Sequence, residues 1–218
     1  MERKIVILVD YDGTLVSTVR FYILNPGILL KNLVSSMANF LRYAIKNRNL
    51  DPLILTYYFL LEEDKRRNEI ISGIRKRLPL YVANINLIDL LKKLSENGYD
   101  ITIVSSSSQE IIRGVLGELE KIYGKKIKVN VIASSQDGLV TSKTKGDIAE
   151  SYSGPKICFT DGGPNDIEFS NSCNVTIIKP SILYYLFPEK PEGYIAKGKN
   201  FEEVLKILEE KLISSNFN

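Results

Sequence analysis

The stretch Ile5-Val6-Ile7-Leu8-Val9-Asp10-Tyr11-Asp12-Gly13-Thr14-Leu15 constrains this chain more than any other. An apolar run of strand length ends in two aspartates two residues apart, followed by Gly-Thr. Successive side chains of an extended segment point to opposite faces. Asp10 and Asp12 converge if the chain leaves the strand and curls at Tyr11. Gly13 makes that curl cheap because it tolerates positive φ. Carboxylates at the carboxyl end of a buried strand need a reason, since an unpaired buried charge is costly. A hard cation such as Mg²⁺ supplies one reason. An acid–base or nucleophilic role supplies another.

Composition removes many chemistries. The 218 residues contain no histidine. That excludes a Ser-His-Asp triad, a Cys-His pair and His-ligated zinc, and leaves acid–base work to Asp, Glu, Lys, Tyr or Cys. The cysteines, Cys158 and Cys173, have no CxxC spacing and lie in or beside apolar segments. They read as buried thiols rather than a disulfide, which fits a reducing compartment. Met1-Glu2-Arg3-Lys4 leads straight into a strand, so no signal peptide is expected, and no apolar run reaches bilayer length. The expected location is cytoplasmic. A net charge of +3 does not by itself imply nucleic acid, and none is expected as a partner.

A strand is read at 4–9, then mostly helix from about 16 to 79. Asn25-Pro26 and Asp51-Pro52 read as helix starts, with the polar residue as N-cap. From about residue 84 the pattern alternates. Helices are predicted at 86–97, 109–123, 144–152, 165–171 and 201–212, and strands at 101–104, 128–132, 156–159 and 175–178, with a turn at Asp137-Gly138. Short apolar strands separated by helices predict an α/β fold, a doubly wound parallel sheet. The long helical segment reads as an insertion. Residues 1–16 and 80–218 form the expected core domain, and 17–79 a helical cap domain.

A second acidic segment, Phe159-Thr160-Asp161-Gly162-Gly163-Pro164-Asn165-Asp166, again follows a predicted strand. In open α/β sheets ligands sit outside the carboxyl ends of strands, so this segment is placed to meet Asp10. The strand at 101–104 ends in Ser105-Ser106-Ser107-Ser108, which can supply a phosphate contact as well as the N-cap of the helix that follows. The order strand-DxDGT, strand-Ser, Lys, strand-Asp resembles that of the haloacid-dehalogenase-like (HAD) superfamily. The resemblance is strongest to phosphoserine-phosphatase-like members with a helical insertion after the first motif. It covers the core from residue 4 to about 170. Thr160 stands where a glycine is usual, and the last aspartates are five apart where four is common.

The resemblance implies a Rossmann-like core with an inserted cap and a Mg²⁺-dependent phosphatase acting on a small phosphorylated metabolite. Asp10 is then the nucleophile that becomes an aspartyl-phosphate, and Asp12 the general acid–base. Asp10, Asp12 (through its carbonyl), Asp161 and Asp166 are the implied metal set. Lys145 is favoured over Lys143 as the lysine that offsets negative charge. Ser105, Ser106 and Thr14 are the implied substrate contacts. Two alternatives stay open: a phosphotransferase or phosphomutase of the same superfamily, and a phosphate- or Mg²⁺-binding regulatory protein without turnover. The expected cap carries 11 Lys/Arg against 5 Asp/Glu between Arg20 and Arg77, so a basic lid that attracts polyanions is a further expectation, set against a plain solvated helix face.

Overall fold

The computed structural model describes residues 5–48, 50–135, 137–196 and 199–214. Six strands form one sheet: β1 (Val6–Asp10), β2 (Asp100–Ser108), β3 (Asn130–Ser134), β4 (Lys156–Thr160), β5 (Val175–Ile178) and β6 (Tyr194–Ile195). Their order is β3-β2-β1-β4-β5-β6, and every pairing is parallel. The chain winds outward from β1 in one direction and then from β4 in the other. The order therefore reverses between β1 and β4, and their carboxyl ends border the crevice where such sheets take ligands.

β1 pairs on both sides, with Val9 opposite Ile103 on β2 and Phe159 on β4. Its unbroken apolar run follows from this position. Ile7 and Val9 join the larger apolar cluster, while Val6 and Leu8 join a smaller one that includes Val104, Cys158 and Phe169. The period-two alternation sends these side chains to opposite faces, both covered by helices. The covering helices are α6 (Ile85–Glu96), α7 (Gln109–Tyr123), α8 (Ser142–Ser151), α9 (Ile167–Asn171) and α11 (Lys199–Glu209), the last continued by a π-helical turn to Ser214.

Between β1 and β2 lie α1 (Thr18–Leu24), α2 (Pro26–Asn47), α3 (Pro52–Lys65), α4 (Arg67–Lys76) and α5 (Leu78–Tyr81). The entry and exit of this insertion are stitched together: Ser17 N donates to Tyr81 O and Ala83 N to Leu15 O, both at 2.8 Å. Phe21, Ile70, Ile74, Leu78 and Tyr81 extend the larger apolar cluster into the insertion. Helix α4 lies close on α7, where a Cβ on Gly114 would fall 2.2 Å from Ile71 Cδ1. Arg75 Nε and Nη2 each reach a different oxygen of the Glu118 carboxylate at 2.5 Å, bridging the same two helices. No helix among the described residues is long and apolar enough to cross a membrane.

The fold departs from the sequence expectation in several places. β2 runs on through all four serines, with an irregular register between Ser105 and Ser108, because pairing with β3 carries it past the apolar residues. β6 and α10 (Ile182–Leu186) were not expected. Two residues of strand and five of helix are too short for periodicity to register. Asp51 caps α3 by accepting from Leu53 N at 2.9 Å, but Asn25 does not cap α2. Its amide donates instead to Phe21 O and Tyr81 Oη, at 2.8 and 3.2 Å. Cys158 and Cys173 are joined in a disulfide, contrary to the reading as thiols. Cys158 lies on β4 and Cys173 just ahead of its neighbour β5. The crossover brings their Cα atoms to 6.2 Å, within bridging range, which spacing along the chain does not reveal. The case for a reducing compartment, which rested on those thiols, falls with it.

Candidate active site

Asp10 ends β1 with 2% of its surface exposed. A carboxylate this deep must be compensated. Lys145 Nζ lies 2.6 Å from Asp10 Oδ1 and 2.6 Å from Asp166 Oδ1. Thr14, one turn beyond the strand, donates to Asp10 Oδ2 at 3.1 Å. Lys145 comes from the first turn of α8, whose N-cap is Thr141. Lys143 is exposed on the same helix, while Lys145 is 3% exposed. Burial opposes the Lys145 ammonium, but Asp10 and Asp166 outweigh it and hold its pKa above the ordinary range.

The second acidic segment folds around the end of β4. Asp161 accepts from Gly163 N at 2.9 Å, and a 3₁₀ turn, Pro164–Asp166, carries Asp166 back toward Lys145. Thr160 donates to Asp166 and accepts from Gly162 N. Gly13 is required where the two acidic segments meet. Its φ is +78°, and a Cβ there would lie 2.1 Å from Asp161 Oδ2. Glycine at this place serves both the curl and the close approach.

Asp10, Asp161 and Asp166 each offer an oxygen within 4.8 Å of the others, and all are buried. Desolvation and carboxylate neighbours push Asp10 well above the usual range and Asp161 to about 6. Burial is the first cause in both, with repulsion from Asp166 next. Three crowded carboxylate oxygens form a donor set suited to a hard divalent cation, whose charge would relieve this repulsion. The residues present therefore fit Mg²⁺. The Asp12 carboxylate lies outside this group and faces β2 instead.

Ser105 donates to Asp12 Oδ2 at 3.3 Å, and Ser107 donates to the same oxygen. Ser105 also accepts from Ser107 N at 3.0 Å. The structure thus brings Ser105 against Asp12, and Thr14 against Asp10. Ser106 points elsewhere, its hydroxyl buried without a partner among the described residues. Ser108 accepts from Ile111 N as the cap of α7 and donates to Asp64 on α3.

Sequence reasoning missed Ser107, Thr160 and Glu63. Ser107 follows Ser105 by two, so strand alternation puts both on one face. Thr160 was visible only as a departure from a familiar pattern. Glu63, on α3, is 5% exposed, accepts a hydrogen bond from Tyr22, and is pushed by burial up to about 7. Asp12 adds to that push, so the carboxyl stands within electrostatic reach of the site. The basic lid is less available than charge counting suggested. Arg66 pairs with Glu62 at 3.7 Å and Arg67 with Glu110 at 3.4 Å. Arg67 also borders a cleft of about 650 Å³ along the seam between the insertion and α7, with Asp64, Lys65, Gln109 and Ser134.

No protein-family model matches this sequence, and no curated protein matches it. Solved structures do match. Cytosolic 5'-nucleotidase IIIB bound to cytidine is similar with a TM-score of 0.56 at 12% identity, over 99% of this chain and 88% of that one. CbbY from Rhodobacter sphaeroides in complex with phosphate has a TM-score of 0.55 at 11% identity, over 93% and 96%. A dehalogenase has a TM-score of 0.54 at 10% identity, over 95% and 98%. The chain shares the fold of these structures, an α/β Rossmann-like architecture with an all-parallel sheet.

Proposed function

We propose that the protein is a Mg²⁺-dependent phosphatase that hydrolyses a small phosphorylated metabolite through an aspartyl-phosphate on Asp10. One observation carries this reading. A buried carboxylate at the switch point lies against a lysine and a second pair of buried carboxylates, with Asp12 beside it on two serine hydroxyls. The helices of residues 18–81 are the cap over this site.

An Asp10 oxygen attacks phosphorus, and the bond to the leaving oxygen breaks while Asp12 protonates that oxygen. Asp12, now a carboxylate, takes a proton from water as the water oxygen attacks phosphorus. The bond to Asp10 breaks, and phosphate leaves with the carboxylate restored. Lys145 neutralises charge that otherwise opposes attack of an anion on an anion. Asp10, Asp161, Asp166 and the Asp12 carbonyl would hold Mg²⁺, which supplies Lewis-acid stabilisation of the phosphoryl oxygens. Ser105 and Thr14 are the groups nearest at hand for those oxygens, while Ser106 points away. A halide leaving group needs no proton, so Asp12 favours phosphate chemistry over dehalogenation.

The test is phosphate release from a panel of phosphomonoesters, including an aryl phosphate, with Mg²⁺ or EDTA, for wild type and Asp10→Asn. Metal-dependent release abolished by the substitution is expected. A folded, Mg²⁺-binding wild type with no turnover on the whole panel would overturn the hydrolase reading and direct the search to a phosphoryl acceptor.

A further inference from the structure

Helix α2 turns an apolar face outward. Leu30, Val34, Met37, Leu41 and Ile45 recur at spacings of 4, 3, 4 and 4, and are 63%, 61%, 42%, 48% and 80% exposed. At 3.6 residues per turn they make one stripe about 22 Å long. An adjoining side of α2 buries Asn32, Ser36, Phe40 and Ala44. At the ends of the helix Ile23 and Leu50 are 69% and 74% exposed, so the apolar surface continues past it. Contiguous apolar surface on this scale marks an interaction site.

Charge says what covers it. Residues 16–50 contain no Asp or Glu and five cations: Arg20, Lys31, Arg42, Lys46 and Arg48. Helical geometry sets Lys31, Arg42 and Lys46 along one edge of the stripe. An acid from α4 lies near one of them, Glu69 at 3.8 Å from Lys31. The partner is therefore anionic where it meets this edge. A second copy paired antiparallel through α2 would set cations against cations on the same side. Protein partners are held mainly by Trp, Tyr and Arg anchors, whereas this stripe is purely aliphatic. Acyl chains accept aliphatic side chains without directional demands, and anionic headgroups meet the flanking cations at the same depth.

We propose that the outer face of α2 docks on an anionic lipid surface, with the helix lying in the interface plane. The protein rests on the membrane and does not span it. This does not depend on the phosphatase reading.

The experiment is co-sedimentation of the full chain with vesicles of phosphatidylglycerol and phosphatidylcholine, and with phosphatidylcholine alone, alongside light scattering of the free protein. Binding to the mixed vesicles at low salt is expected, weakened at high salt and far weaker on neutral vesicles. The double variant Val34→Glu, Leu41→Glu is expected to lose binding with an unchanged melting temperature, because both positions are exposed. Arg42→Gln with Lys46→Gln is expected to weaken binding about 25-fold, at roughly five-fold per cation. No sedimentation with anionic vesicles would overturn the proposal. So would equal binding to neutral ones, or a dimer in solution that the double glutamate variant dissociates.

Discussion

At the carboxyl end of the sheet Lys145 bonds both Asp10 and Asp166, and Thr14 and Thr160 take up the second oxygen of each carboxylate. Inside the helical insertion the pattern is the reverse. Arg66 Nε is buried without a hydrogen-bond partner among the described residues. Glu63 is a buried carboxyl that, among the described residues, has the Tyr22 hydroxyl as its partner and no cation. The Lys145, Asp10 and Asp166 cluster is a satisfied network of the kind that preorganises charge, although the Tyr11 and Ser106 hydroxyls at the same end of the sheet are buried without partners among the described residues. The insertion keeps polarity that its own side chains leave unsatisfied, and apolar surface turned outward. The sheet end holds its own chemistry in place.

The comparison can be broken most directly at Asp10. Asp10→Asn keeps the shape of the network but removes the nucleophile, so phosphate release should fall to background while the far-UV spectrum stays native. Retained turnover would move the chemistry elsewhere. Lys145→Met should come next. It leaves two buried carboxylates without their cation, at a cost of about 3–5 kcal/mol by urea unfolding in EDTA. Mg²⁺ should restore part of that loss by binding the native state. An unchanged midpoint would show that the network is not coupled.

Glu63→Gln sharpens the contrast from the insertion's side. The carboxyl stands at about 7 in the folded protein against 4.5 unfolded, so its contribution is full below about pH 4.5 and is lost as pH rises toward 7. The glutamine variant should be the more stable protein at pH 8, by up to about 3 kcal/mol, and the two should converge near pH 4. Melting curves across that range that run parallel would dismiss the idea.

Gly13→Ala should cost about 1–3 kcal/mol in strain. It should also weaken Mg²⁺ binding in calorimetry, because its Cβ displaces Asp161. The smallest effect belongs to Arg75→Ala, which unties α4 from α7. Arg75 lowers the Glu118 carboxyl, so the tie acts above the unfolded carboxylate pKa and fades as pH falls through the lowered one. A small drop in melting temperature at pH 7 that vanishes in acid is expected. A drop that persists in acid would point to lost packing instead.

Much of the sheet was legible because its signals are local. An apolar run ending in Asp10-Tyr11-Asp12-Gly13-Thr14 requires a central strand and a buried acidic end. The helix 109–123 and the strand 175–178 were read to the residue, the helix because Ser108 and Gly124 cap its two ends. The end of β2 was read four residues early, because four serines look like a loop until β3 pairs beside them. Thr160 and Ser107 were not selected for the same reason: their importance lies in what they touch, Asp166 and Asp12, far along the chain or around a turn.

By itself, the sequence determined the parallel α/β class and the order of most strands and helices along the chain. Each of these follows from short-range pattern and residue type. The tertiary structure alone decided that Ser107 shares Asp12 with Ser105, that Cys158 finds Cys173, and that α2 keeps its Leu30–Ile45 stripe outside. Those outcomes depend on which surfaces meet across crossovers of many residues. An apolar helix pattern states that a face seeks cover, but only packing shows which faces receive it.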